Sequence, residues 1–93
     1  MISAFVFISA EPGRVATLAT ELADLEGVSE VYSVTGDEDL IAVVRVREHD
    51  ALADVVTNHI AGLAGIRSTR TSIAYRAYSR HDIEGIFSLG TET

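Results

Sequence analysis

The stretch Val28-Ser29-Glu30-Val31-Tyr32-Ser33-Val34-Thr35-Gly36-Asp37-Glu38-Asp39-Leu40-Ile41-Ala42-Val43-Val44-Arg45-Val46 decides the fold of this 93-residue chain. Val28, Val31, Tyr32 and Val34 mark a strand over 28–35, and the aliphatic run from Leu40 to Val46 marks a second. Both runs are short and rich in β-branched or aromatic residues, which favour a pleated surface over a helix. Gly36-Asp37-Glu38-Asp39 between them has the length and chemistry of a hairpin loop.

On the N-terminal side of this hairpin, Ser3 to Ile8 reads as a strand, broken by Glu11-Pro12-Gly13. Val15, Leu18, Ala19, Leu22 and Leu25 then recur at three- and four-residue steps, which places them on one face of a helix over 12–25. Pro12 suits its first turn, and Gly27 its C-terminal stop. On the C-terminal side, Asp50 can cap a second helix carrying Leu52, Val55, Val56, His59, Ile60 and Leu63 at helical spacing, and a last strand follows over 66–78. The order β-α-β-β-α-β predicts an α+β, ferredoxin-like sandwich: two helices on one face of a four-stranded antiparallel sheet. Residues 1–79 make up the domain. The tail, 80–93, holds Ile83, Ile86, Phe87 and Leu89 and is expected to pack on the domain or on a partner subunit.

Phe5-Val6-Phe7-Ile8 and Leu40-Ile41-Ala42-Val43-Val44 are apolar at both parities, whereas a sheet with one wet face alternates. Two helices cover one face. The other is expected to meet a second sheet, most simply through a two-fold dimer that forms a dimeric α/β barrel, with coverage by the tail as the alternative.

Composition narrows the function further. With 47% apolar residues and a single proline, the chain has the surface to build a core. It has no cysteine, which removes disulfides, thiolate metal sites and a cysteine nucleophile. The first apolar run stops at Ser9 and Glu11, well short of a membrane span, so no membrane is expected as partner. Net charge is −7, and the seven cations, all arginine, are scattered at 14, 45, 47, 67, 70, 76 and 80. Duplex binding needs clustered cations to displace phosphate counterions, so no direct nucleic-acid contact is expected.

Val31 to Val46 resembles the signature hairpin of the leucine-responsive and asparagine-C regulator family (Lrp/AsnC), with its T-G-x-x-D-L motif at Thr35, Gly36, Asp39 and Leu40. Leu63-Ala64-Gly65-Ile66-Arg67-Ser68-Thr69-Arg70-Thr71 is similar to that family's loop and final strand, including a T-x-T pattern. The resemblance implies a ligand-binding (RAM, or AsnC-type) domain whose dimers join into octamer-like rings, with a small amino acid held at the contacts between dimers. Family members normally carry an N-terminal helix-turn-helix. This sequence opens on the first strand and so resembles the stand-alone RAM proteins, which implies a cytoplasmic oligomer that senses an amino acid and co-assembles with a full-length regulator.

Within that frame the acidic loop is the first candidate site. A free amino acid presents an ammonium, which Asp37 or Asp39 can pair, and a carboxylate, which loop amides or hydroxyls can bind. Gly36 lets backbone approach the ligand closely. The same residues also suit a plain solvated turn. Glu38 is set apart, because the family often has an apolar or aromatic residue near that place. Thr69 and Thr71, two residues apart, share one strand face and can address one pocket, although threonine is also an ordinary strand residue. Ser68 and Arg70 are further candidates, the arginine as a bidentate carboxylate partner. No cofactor is implied. His49, His59 and His81 lack ligand spacing, so no metal site is expected, and no nucleophile motif marks a catalytic residue. The rival reading is a small dimeric ferredoxin-like enzyme of the cofactor-free monooxygenase type, which would need a polar relay between helices and sheet; His59 alone offers one.

Overall fold

The structure, a computed structural model, describes residues 1–80. Strand β1 (Ile2–Ala10) leads into helix α1 (Val15–Ala23), and β2 (Val28–Ser33) and β3 (Leu40–Val46) form the hairpin. Helix α2 (His49–Asp54) runs on into a π-helical segment (Val55–Ile60), and β4 (Ile66–Ile73) follows. The strands lie in the order β2-β3-β1-β4, every neighbouring pair antiparallel. This is the ferredoxin-like α+β arrangement that the element order predicts.

The central position of β1 and β3 explains why these two strands are apolar at both parities. Ala4, Val6, Ile8 and Ala10 of β1 and Leu40, Ala42 and Val44 of β3 are buried on one face, under Leu18 and Leu22 of α1 and Leu52, Val55 and Ile60 of the second helix. The opposite parity forms the open face. Cross-strand partners share a face, so one row there reads Tyr32, Ile41, Phe7, Arg70 and the next Glu30, Val43, Phe5, Ser72. Five apolar or aromatic side chains thus sit together inside a polar rim. Phe5, on a central strand, is 37% exposed, and Tyr32, on the edge strand β2, is 50% exposed.

Several element boundaries differ from the sequence reading. Pro12 lies ahead of α1 rather than in its first turn: the Arg14 N–H donates to the Glu11 carbonyl at 3.0 Å, and Gly13 at φ +83 supplies the left-handed third position of that turn. Glu48, in extended conformation, occupies the N-cap of α2 without a side-chain capping bond. Asp50 instead lies in the first turn, where a negative charge still complements the helix end. The second helix widens where β-branched Val55, Val56 and Thr57 crowd the backbone. The Ala61 N–H donates to the Val56 carbonyl, five residues back, and the five-residue step from Val55 to Ile60 keeps both in the core.

Strand β4 ends at Ile73, not Tyr78; in the observed register β1, which begins at Ile2, has no residue to pair with Tyr78. Ala4 faces Ile73, and the last rung is the Ala74 N–H donating to the Ser3 carbonyl at 2.8 Å. The expected packing of the tail falls outside the described residues.

Candidate functional site

The T-G-x-x-D-L hairpin ends against the C-terminal end of β1, and Asp39 ties the two together. Its N–H donates to the Ile8 carbonyl at 2.9 Å, and its carbonyl accepts the Val34 N–H at 3.0 Å, which closes the loop. Its side-chain Oδ2 accepts the Ala10 N–H at 2.8 Å. The β1–β3 ladder has ended at the Ile8–Leu40 pair, so without Asp39 this amide would lose its partner. The other carboxylate oxygen takes no hydrogen bond among the described residues.

Asp39 lines a cleft of about 490 Å³ together with Ser9, Asp37, Arg67 and Ser68. Ser9 and Ser68 face each other across β1 and β4, next to the β-bulge that shifts the register between Ser9 and Ala10. The cleft therefore offers two carboxylates, one guanidinium and two hydroxyls, a donor and acceptor set that suits a molecule carrying both charges. Arg67 and Asp37 are exposed and Asp39 is half-buried.

Beside the cleft, Arg70 Nη2 lies 3.4 Å from Glu38 Oε2, and its guanidinium carbon sits 4.1 Å from the centroid of the Phe7 ring. Arg70 is thus held between the loop and the open sheet face, with its charge already matched. At the far end of that face the Tyr32 hydroxyl donates to Glu30 Oε2 at 2.7 Å, and the hydrogen bond and charge of this carboxylate raise the phenol above its ordinary pKa of 10.0.

The predicted residues separate into two groups. Asp37, Asp39 and Ser68 meet in the cleft, with Gly36 in the same loop and Arg70 alongside. Gly36 has φ +116, and a Cβ there would meet nothing within 4 Å. The backbone conformation at this position by itself calls for glycine. Thr69 and Thr71 pair with Ile8 and Val6 and so belong to the helix-covered parity. Thr71 lines a separate groove of about 230 Å³ with His49, Leu52, Ala53, Val56, Thr57 and Ile73.

Sequence reasoning did not single out Ser9 or Arg67. Ser9 becomes visible only once the β1–β4 register puts it opposite Ser68, whereas Arg67, immediately before Ser68, could have been flagged as a carboxylate partner. Glu38, set apart in the sequence, holds Arg70. No group of His, Asp or Glu suited to a metal ion occurs among the described residues. Between helices and sheet the described core contains no buried polar or charged side chain. His59 lies at the surface, its Nε2 3.4 Å from Asp54 Oδ2, and provides no relay into that core.

A family model described as the Lrp/AsnC ligand binding domain matches residues 3–83. An uncharacterised HTH-type transcriptional regulator of Pyrococcus abyssi is 42% identical over 72 residues, covering 77% of this chain and 46% of the relative. The chain spans about half the length of the curated relatives it matches. Among solved structures, TTHA0845 from Thermus thermophilus superposes with a TM-score of 0.81 at 49% identity, covering 86% of this chain and 100% of that one. A feast or famine regulatory protein from M. tuberculosis, solved in complex with L-methionine, superposes with a TM-score of 0.71 at 34% identity, covering 86% and 54%. No helix among the described residues is long and apolar enough to cross a membrane.

Proposed function

Because the chain belongs to the Lrp/AsnC ligand-binding domain family, we propose that it is an oligomeric regulatory domain whose effector is a small amino acid bound at the hairpin cleft. The relatives are named transcriptional regulators, not enzymes. The observation that carries the reading is the cleft itself, where Asp37 and Asp39 stand with Arg67, Ser9 and Ser68. A carboxylate pairs with the α-ammonium of the effector, and Arg67 with the two hydroxyls takes its carboxylate. The L-methionine complex of the mycobacterial relative supports an amino acid as the ligand class.

Assembly follows from the open sheet face. Phe5, Phe7, Tyr32, Ile41 and Val43 form an apolar centre bordered by Glu30, Arg45 and Arg70, the anatomy of a protein–protein interface. A second copy covers this face in a two-fold dimer, and dimers join further into a ring. Co-assembly with a full-length regulator in the cytoplasm would then pass effector occupancy on to a promoter. The scattered arginines leave this domain without a cationic duplex-binding face.

Equilibrium dialysis against an equimolar mixture of the twenty common L-amino acids, with chromatography of the retained fraction, tests the proposal. Retention of one or a few amino acids, abolished by Asp37→Asn with Asp39→Asn, is the expected result. Retention of none at millimolar concentration would remove the ligand reading.

A further inference from the structure

The charges and surface of the cleft go beyond the general class of ligand to its side chain. Its lining residues, Ser9, Asp37, Asp39, Arg67 and Ser68, include no hydrocarbon side chain. An aliphatic or thioether side chain entering this space would bury little apolar surface against these five residues, and so would gain little from them of the free energy that normally selects leucine or methionine. The formal charges are also unequal, since two carboxylates face one guanidinium. Arg70, the other nearby cation, is occupied by Glu38 and Phe7. When a zwitterionic ligand has matched one carboxylate with its ammonium and Arg67 with its carboxylate, one acidic side chain is left over. A ligand with a second cation matches it.

We infer that the hairpin cleft selects an amino acid with a cationic side chain, which Asp37 pairs while Asp39 and Arg67 hold the α-ammonium and α-carboxylate. This rests on the reading of the cleft as an amino-acid site. The division of labour follows from position. Asp39 is half-buried and fixed by the Ala10 amide, so it belongs to the part common to every amino acid. Asp37 is exposed and lines the same cleft, so it is open to the end of a long side chain. The net charge of −7 adds a longer-range attraction for a cation.

Calorimetric titration of the full chain with L-lysine, L-arginine, L-methionine, L-leucine and cadaverine separates the outcomes. An exposed ion pair is worth up to about a fivefold change in Kd, so lysine or arginine is expected to bind more tightly than methionine or leucine, by up to about fivefold. Cadaverine, which lacks the carboxylate, is expected to bind more weakly than lysine. Asp37→Asn is expected to erase the preference for lysine over methionine. Methionine or leucine binding as tightly as lysine overturns the inference and leaves the amino-acid reading standing. Cadaverine matching lysine overturns it as well, because the cleft would then read cations alone. If none of the five binds but the dialysis retains another amino acid, the side-chain assignment alone is refuted.

Discussion

Asp39 serves the fold and, in the account above, the ligand, and two substitutions separate these roles. Asp39→Ala deletes the Oδ2 acceptor of the Ala10 N–H and leaves that half-buried amide unpaired at the end of β1. A hydrogen bond to a charged group contributes about 1.5–3 kcal/mol. With a urea m-value of about 1 kcal/mol/M for a domain of this size, the unfolding midpoint is expected to fall by about 1.5 M or more. Asp39→Asn keeps an oxygen acceptor for Ala10 but removes the charge. A neutral bond is worth about 0.5–1.5 kcal/mol, so about a third to a half of the lost stability should return. Amino-acid affinity should not return, because the ammonium loses its carboxylate, a change of about 10- to 150-fold in Kd. Urea titrations and calorimetry at one protein concentration read both quantities. A midpoint shift below about 0.3 M for Asp39→Ala would refute the structural role, and an unchanged Kd for Asp39→Asn would falsify the ligand role.

Further expectations concern the core, the sheet face and the tyrosine. Leu22 of α1 is fully buried against the sheet, so Leu22→Ala should lower stability by about 2–5 kcal/mol in denaturant titration; a loss under about 1 kcal/mol would mean that α1 is not seated as described. Ile41 lies between Tyr32 and Phe7 in the open-face row, and Ile41→Glu should convert the oligomer to a folded monomer by sedimentation velocity with its circular dichroism retained; an oligomer of unchanged size would exclude this face as the interface. Ultraviolet titration should show Tyr32 ionising above pH 10.0, and Glu30→Gln should bring it down, since the carboxylate is the first cause of the shift; no downward change would contradict the Tyr32–Glu30 pair.

The fold was legible because the hairpin and the two flanking helices carry strong periodic signals, and Leu40–Val46 emerges as a strand at the same residues in sequence and structure. The boundaries that moved depend on partners far along the chain. In the observed register β1 has no residue to pair with Tyr78, and Glu48 precedes α2 in extended conformation, which no local pattern specifies. The site was legible only in part. Asp37, Asp39 and Ser68, separate candidates in the sequence, line one cleft, but Thr69 and Thr71 fall on the other parity of β4, because a strand separates neighbours onto opposite faces and the register decides which face is which. Ser9 could not be read without that register.

The measurement that bears most directly on amino-acid sensing is the thermal midpoint of the protein against each of the twenty L-amino acids at fixed protein concentration. A ligand selective for the folded state stabilises it by RT ln(1 + [L]/Kd), about 2.7 kcal/mol at a hundredfold excess over Kd. The midpoint should rise by several degrees for at least one amino acid in the wild-type protein and stay fixed in Asp39→Asn. Identical midpoints for all twenty at ten millimolar would contradict the account.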